Sequence, residues 1–142
     1  MFYQEDYEKD FEASGKVSIW ACKFDSEKAL KAYMKEKQTR DDDIYSDFYL
    51  EFRMGFLDYD LIDFIIHEDQ PSSLEELFAQ VSYSKTIVEN IKKSSLTLDI
   101  NKYNSVICVF DYDFIPDTDY VRKNKNVDYI GSFDYDQNSE KI

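Results

Sequence analysis

Glycine occurs only three times in this chain of 142 residues, and proline twice. So few breakers leave no room for a flexible or proline-rich linker, and one domain is expected. The phosphate-cradling glycine loop and the Gly-x-Ser-x-Gly elbow are both missing, which removes the commonest nucleotide and acyl-transfer signatures. Histidine occurs once and cysteine twice, with no Cys-x-x-Cys pair, so zinc-cluster and dithiol chemistry have no parts to work with. No cofactor or metal is expected. Basic residues are also scarce, 17 against 30 acidic, for a net charge of -13. Binding nucleic acid directly would need cations that replace counterions, so no such partner is expected. The start, Met1-Phe2-Tyr3-Gln4-Glu5-Asp6, lacks the basic and apolar regions of a secretory signal, and no apolar run reaches the length of a bilayer. A cytoplasmic protein without a membrane partner is the expectation.

What the chain does contain is apolar and aromatic material, 43% hydrophobic and 17% aromatic, which is too much for a disordered acidic tail. The charge therefore belongs to a folded domain, and basic proteins are its natural partners. Asp-Tyr-Asp recurs at Asp58-Tyr59-Asp60, Asp111-Tyr112-Asp113 and Asp134-Tyr135-Asp136. Tyrosine offers large contact area with few rotors, and aspartate adds negative potential, so the combination suits docking.

Residues 1–14 are acidic and aromatic without clear period and read as an arm. The domain proper is expected over 15–137, with 138–142 fraying. Lys16 to Phe24 is apolar at positions of both parities, as an interior strand covered on both faces would be. Asp25 or Ser26 can cap a helix to about Lys37 that buries Leu30, Tyr33 and Met34. A short helix around Ser46 to Phe52 is expected to end at Gly55, which accepts the left-handed conformation of a C-cap. Leu61 to His67 reads as a strand ended by Pro71.

Ser73 and Glu76 then have capping-box spacing for a helix burying Leu74, Leu77, Phe78 and Val81. Ser82-Tyr83-Ser84 can break it before a second stretch carrying Ile87, Val88 and Ile91. Ser105 to Tyr112 is a second strand apolar on both faces, and Val127 to Tyr135 alternates like an edge strand. These elements predict an α+β fold: one small mixed or antiparallel sheet of about four or five strands packed against helices.

Catalysis finds little support. The apolar strand Val106 to Phe110 running into Asp111-Tyr112-Asp113 has the outline of an aspartate-nucleophile phosphotransferase. That chemistry needs a small or hydroxyl residue soon after the second aspartate, where Phe114 and Ile115 stand. Asp111, Asp113, Asp117 and Asp119 lie close enough in sequence to hold a hard cation, but a calcium loop counted from Asp111 meets Pro116 where glycine is required and Arg122 where glutamate is required. His67 has Glu68 and Asp69 beside it and no marked nucleophile, so a structural histidine is the plainer reading. Cys22 and Cys108 sit in apolar runs as buried thiols.

A charge run is usually a solvated face, and strand tyrosines are often core. The case for a binding surface rests on both residue types meeting in the same loops and strand ends. The candidate contact residues are Asp58, Tyr59, Asp60, Asp111, Tyr112, Asp113, Asp117 and Asp119, with Asp41, Asp42 and Asp43 as a weaker rim.

Several pieces in order carry a family resemblance over roughly residues 15–135. They are Lys16-Val17-Ser18-Ile19-Trp20 followed by Phe24, Ser26 and Tyr33; Phe48 through Gly55 leading to Asp58-Tyr59-Asp60; Val109-Phe110-Asp111-Tyr112; and Tyr129-Ile130-Gly131-Ser132-Phe133. In these the chain resembles the immunity protein 22 family of bacterial polymorphic toxin systems, departing from it at Cys22, where glycine is the family's tendency. The resemblance implies a small cytoplasmic protein that binds and neutralises a cognate toxin domain, often a nuclease. It transfers no functional residues. A basic nuclease surface is also what the charge calls for. The alternative reading is a DNA mimic or other acidic regulator of a basic host protein.

Overall fold

The computed structural model describes residues 10–38, 44–117 and 125–142. Its centre is a four-stranded antiparallel sheet in the order β4-β5-β1-β6. The strands are β1 (Glu12–Cys22), β4 (Ile62–Ile66), β5 (Ser105–Tyr112) and β6 (Val127–Asp134), while β2 (Lys37–Gln38) and β3 (Ile44–Tyr45) form a separate two-stranded ribbon. The helices are α1 (Glu27–Met34), α2 (Asp47–Phe52), α3 (Leu74–Phe78) and α4 (Ser84–Lys93).

The two strands that are apolar at both parities, β1 and β5, occupy the middle of the sheet, and the alternating β6 lies at an edge. Alternation explains the placement, since successive side chains leave a strand on opposite faces. Trp20 and Cys22 face one core with Leu30, Tyr33 and Met34 of α1 and Phe48, Tyr49 and Phe52 of α2. Val17, Ile19 and Ala21 face the other, with Leu77 and Phe78 of α3 and Ile87, Val88 and Ile91 of α4. The domain is thus an α+β fold with helices on both faces of the sheet.

The single tryptophan, Trp20, is fully buried, with its ring 4.9 Å from Phe48, 5.6 Å from Phe52 and 5.0 Å from Tyr129. Edge-to-face and tilted pairs of this kind add about 0.5–1.5 kcal/mol each beyond burial itself. Cys22 and Cys108 are free and buried, and loss of hydration pushes both thiols well above their ordinary pKa.

Several boundaries differ from expectation, each for a local reason. β1 begins at Glu12, ahead of Lys16, because Phe11 packs on Tyr112 and Phe114, with centroids 5.6 and 5.4 Å away, and its carbonyl accepts the Asp113 N–H at 2.8 Å. Residues 1–9 of the expected arm lie outside the described residues. Ser26 is the N-cap of α1, accepting the Ala29 N–H, but the helix stops at Met34 and Lys37 enters the ribbon.

α2 ends at Phe52 on Arg53, which itself takes the left-handed conformation (φ 52°) and donates its N–H to the Tyr49 carbonyl. Gly55, expected as the cap, lies beyond it with φ 72°. At α3, Ser73 Oγ accepts the Glu76 N–H as the capping box requires, whereas the Glu76 carboxylate accepts from Ser72, one residue outside the box. Left-handed Gln80 and Tyr83 separate α3 from α4.

α4 has no side-chain cap of its own. The C-terminal residues, expected to fray, fill that role: the Glu140 carbonyl accepts the Lys85 N–H at 3.1 Å and Ser139 Oγ accepts the Thr86 N–H at 3.0 Å. First-turn amides have no partner inside a helix, which is why the tail is held there. Among the described residues no helix is long and apolar enough to cross a membrane.

Candidate functional site

Asp58-Tyr59-Asp60 forms a single turn of 3-10 helix (Tyr59–Leu61) ahead of β4. Asp58 caps it, its carboxylate accepting the Asp60 N–H at 3.0 Å, as short acidic side chains do at turn starts. Asp58 and Asp60 are left exposed, while Tyr59 turns inward and donates to Ser46 Oγ at 3.2 Å. That hydroxyl also accepts the Tyr49 N–H as the N-cap of α2, so one serine ties the turn to the helix. Burial pushes the pKa of Tyr59 up to about 12.

Asp111-Tyr112-Asp113 ends β5 opposite an irregularity in β1. The register runs Val17↔Phe110 and then Glu12↔Tyr112, so β1 carries extra residues there, a bulge that re-aims the strand opposite. Gly15 supplies the turn at φ 80°. Asp111 lies in the left-handed region at φ 55°, uncommon for a residue with a Cβ. Its Oδ1 accepts the Gly15 N–H at 3.0 Å and the Tyr135 hydroxyl at 2.7 Å, which holds the conformation in place.

Tyr112 is 4% exposed and its hydroxyl donates to the Met54 carbonyl, so it stitches β5 to the segment after α2. Burial raises its pKa strongly. Asp113 is half-buried beside Phe11. In the third motif Asp134 pairs with Lys16 at 2.8 Å, and Tyr135 is buried against Asp111.

The first two motifs meet. β4 begins pairing at Ile62↔Val109, so β5 continues past it toward Tyr112, and the turn before β4 lies alongside. Between them runs a groove of about 270 Å³ whose walls include Glu12, Phe56, Asp58, Leu61, Asp111 and Tyr112. Phe56 is 59% exposed and Leu61 37%, large apolar surfaces presented among carboxylates. Among the described residues no lysine or arginine forms an ion pair with Glu12, Asp58, Asp60, Asp111 or Asp113. Carboxylates beside exposed apolar side chains make a surface suited to a basic, partly apolar protein partner.

Asp60 and Asp113 flank this region without lining the groove, and Asp117 is joined to Arg53 at 3.1 Å. Asp119 and Asp41, Asp42 and Asp43 lie outside the described residues. Sequence reasoning missed Glu12, Phe56 and Leu61. Glu12 comes from a stretch without periodicity, and only strand pairing across the sheet brings it opposite Tyr112. Phe56 carried no comparable sequence signal; it points outward at a bend between Gly55 and Leu57, which the fold buries.

In a wider depression of about 490 Å³, His67, Gln70 and Glu76 are already engaged. His67 Nε2–H donates to the Leu77 carbonyl at 3.0 Å, and Gln70 Nε2 donates to the carbonyls of Ile100 and Tyr103 at 2.9 and 2.8 Å. Glu76 accepts from Ser72. The histidine thus has a structural bond, and the exposed carboxylates of Glu68 and Asp69 also line the depression. Among the described residues no group of three or more His, Cys, Asp or Glu side chains is placed to hold a metal ion.

No curated protein and no solved structure matches the chain. The family model described as Immunity protein 22 matches residues 17–136, and so spans β1 from Val17, both helical layers, the walls of the groove apart from Glu12, and β6. The chain belongs to the Immunity protein 22 family.

Proposed function

We propose that this protein neutralises a cognate toxin domain by binding it through the acidic face around the groove, without catalysis of its own. One observation carries the reading: two Asp-Tyr-Asp motifs far apart in sequence lie on one groove, where Glu12, Asp58 and Asp111 stand around exposed Phe56 and Leu61. Membership of an immunity family supplies the class of partner. The net charge of -13 supplies its sign, and a nuclease that grips phosphates presents the matching basic surface.

In this reading the carboxylates of Asp58, Asp60, Asp111 and Asp113 accelerate encounter, and the apolar walls hold the complex. Tyr59 and Tyr112 support the face from beneath, Tyr59 through Ser46 and Tyr112 through Met54. The protein acts in the cytoplasm of the cell that makes the toxin, covering the toxin's substrate site.

The test is co-expression with a cognate toxin domain, sought first among the products of neighbouring genes. Protection by the wild type should be lost when Asp58 and Asp60 are changed to lysine with the fold intact. Protection that survives the change would remove this face from the account.

A further inference from the structure

We propose that the groove beside Asp58 is a socket for one arginine side chain of the protein partner. This deepens the toxin-binding reading and rests on it for the partner's identity, though not for the chemistry of the socket. At about 270 Å³ the groove is smaller than the roughly 300–1,000 Å³ of small-molecule sites, which fits one long side chain better than a nucleotide or cofactor.

Its walls are of two kinds. Phe56 and Leu61 offer apolar surface to a three-carbon stem, and the Phe56 ring is exposed enough to stack on a planar cation. Glu12 and Asp58 are exposed carboxylates on the same groove, and Asp111 lines it as well.

The acceptor inventory favours guanidinium over ammonium. Asp58 uses one oxygen for the Asp60 N–H, and Asp111 uses Oδ1 for both Gly15 and Tyr135. Among the described hydrogen bonds, the second oxygen of each has no partner. Separate acceptors around one groove suit a planar head with five donors in a fixed fork, more weakly hydrated than the point charge of lysine. The site is also preformed: the capped turn fixes Asp58, and the bonds to Gly15 and Tyr135 fix Asp111. Such a socket takes its ligand without a large ordering cost.

The experiment titrates isotope-labelled full-length protein with N-acetyl-arginine amide, N-acetyl-lysine amide and N-acetyl-norleucine amide, following backbone amide resonances. Saturable shifts centred on Phe56, Asp58, Leu61 and Asp111 are expected for the arginine probe, with affinity in the millimolar range. The lysine probe should bind at least about threefold more weakly, and the norleucine probe should leave these resonances in place. The double variant Glu12→Gln, Asp58→Asn should weaken the arginine probe at least about fivefold while the rest of the spectrum stays unchanged.

Shifts centred elsewhere, equal affinity for the arginine and lysine probes, or indifference to the double variant would each overturn the socket. Because no toxin takes part, these outcomes are independent of the immunity reading. Arginine binding in the groove without toxin binding would leave the socket standing and remove the proposed partner.

Discussion

The hydroxyl of Tyr135 donates to Oδ1 of Asp111 at 2.7 Å, so two of the three Asp-Tyr-Asp repeats are joined to each other inside the fold. The same oxygen accepts the Gly15 N–H. Three segments distant in sequence, the β1 bulge, the end of β5 and the end of β6, thus converge on one carboxylate. That carboxylate sits on a left-handed backbone at φ 55° and borders the groove.

Replacing Asp111 separates its structural role from its charge. Asp111→Ala deletes the acceptor for two donors and leaves an alanine at positive φ, with an expected loss of about 2–4 kcal/mol. Asp111→Asn keeps a side-chain carbonyl and tolerates the left-handed region, so a loss of about 1 kcal/mol or less is expected. Urea unfolding followed through Trp20 fluorescence measures both. Equal losses in the two variants would mean that charge, and not the acceptor, holds the site.

Stability should fall at alkaline pH. Burial pushes Tyr59 and Tyr129 up to about 12, against about 10 for an exposed tyrosine. Between those values the unfolded chain releases phenolic protons that the folded chain retains. The contribution is therefore complete below pH about 10 and is lost as pH rises through about 12. Urea midpoints measured across this window should decline, and Tyr59→Phe with Tyr129→Phe should lessen the decline, leaving the part due to Tyr103, Tyr112 and Tyr135, which are raised as well. A midpoint that rises with pH in this window would reverse the assignment.

Gly131 has φ 144°, and a Cβ placed there would lie 3.2 Å from the Phe133 ring. It sits where the β1–β6 register shifts between Ile19 and Trp20, with Trp20 paired to Tyr129. Gly131→Ala should therefore cost about 1–3 kcal/mol from backbone strain and crowding together. Thermal unfolding monitored by circular dichroism checks this. An unchanged midpoint would mean that the edge strand relaxes freely at that position.

Much of the fold was legible because its signals are local. The two strands apolar at both parities had to be interior, and Ser26 and Ser73 announced their helices through capping chemistry. What was not legible depends on pairing across the chain. No periodicity in residues 10–14 reveals that Phe11 packs on Tyr112 or that Glu12 pairs opposite it. The helix cap at Arg53 escaped for a related reason: Gly55 is the residue that composition favours, and the tertiary position of Met54, whose carbonyl accepts from Tyr112, sets the actual turn.

The repeated Asp-Tyr-Asp pattern marked segments that the fold brings together, two of them on one groove. It did not tell which members face outward, since tyrosine serves surfaces and cores alike. Asp58 and Asp60 are exposed, whereas Tyr112 and Tyr135 are buried.

The measurement that tests the central claim most directly is calorimetry of this protein with a cognate toxin domain, sought first among the products of neighbouring genes, with toxin activity followed in parallel. Wild-type protein should bind one to one and abolish activity. The Glu12→Lys, Asp58→Lys variant should bind at least about tenfold more weakly, about 1.4 kcal/mol, with a reduced dependence on salt. Asp58 caps the turn before β4, so the variant should lose about 1 kcal/mol of stability, and its affinity is compared where urea unfolding shows both proteins fully folded. Undiminished affinity and inhibition in that variant would contradict the account.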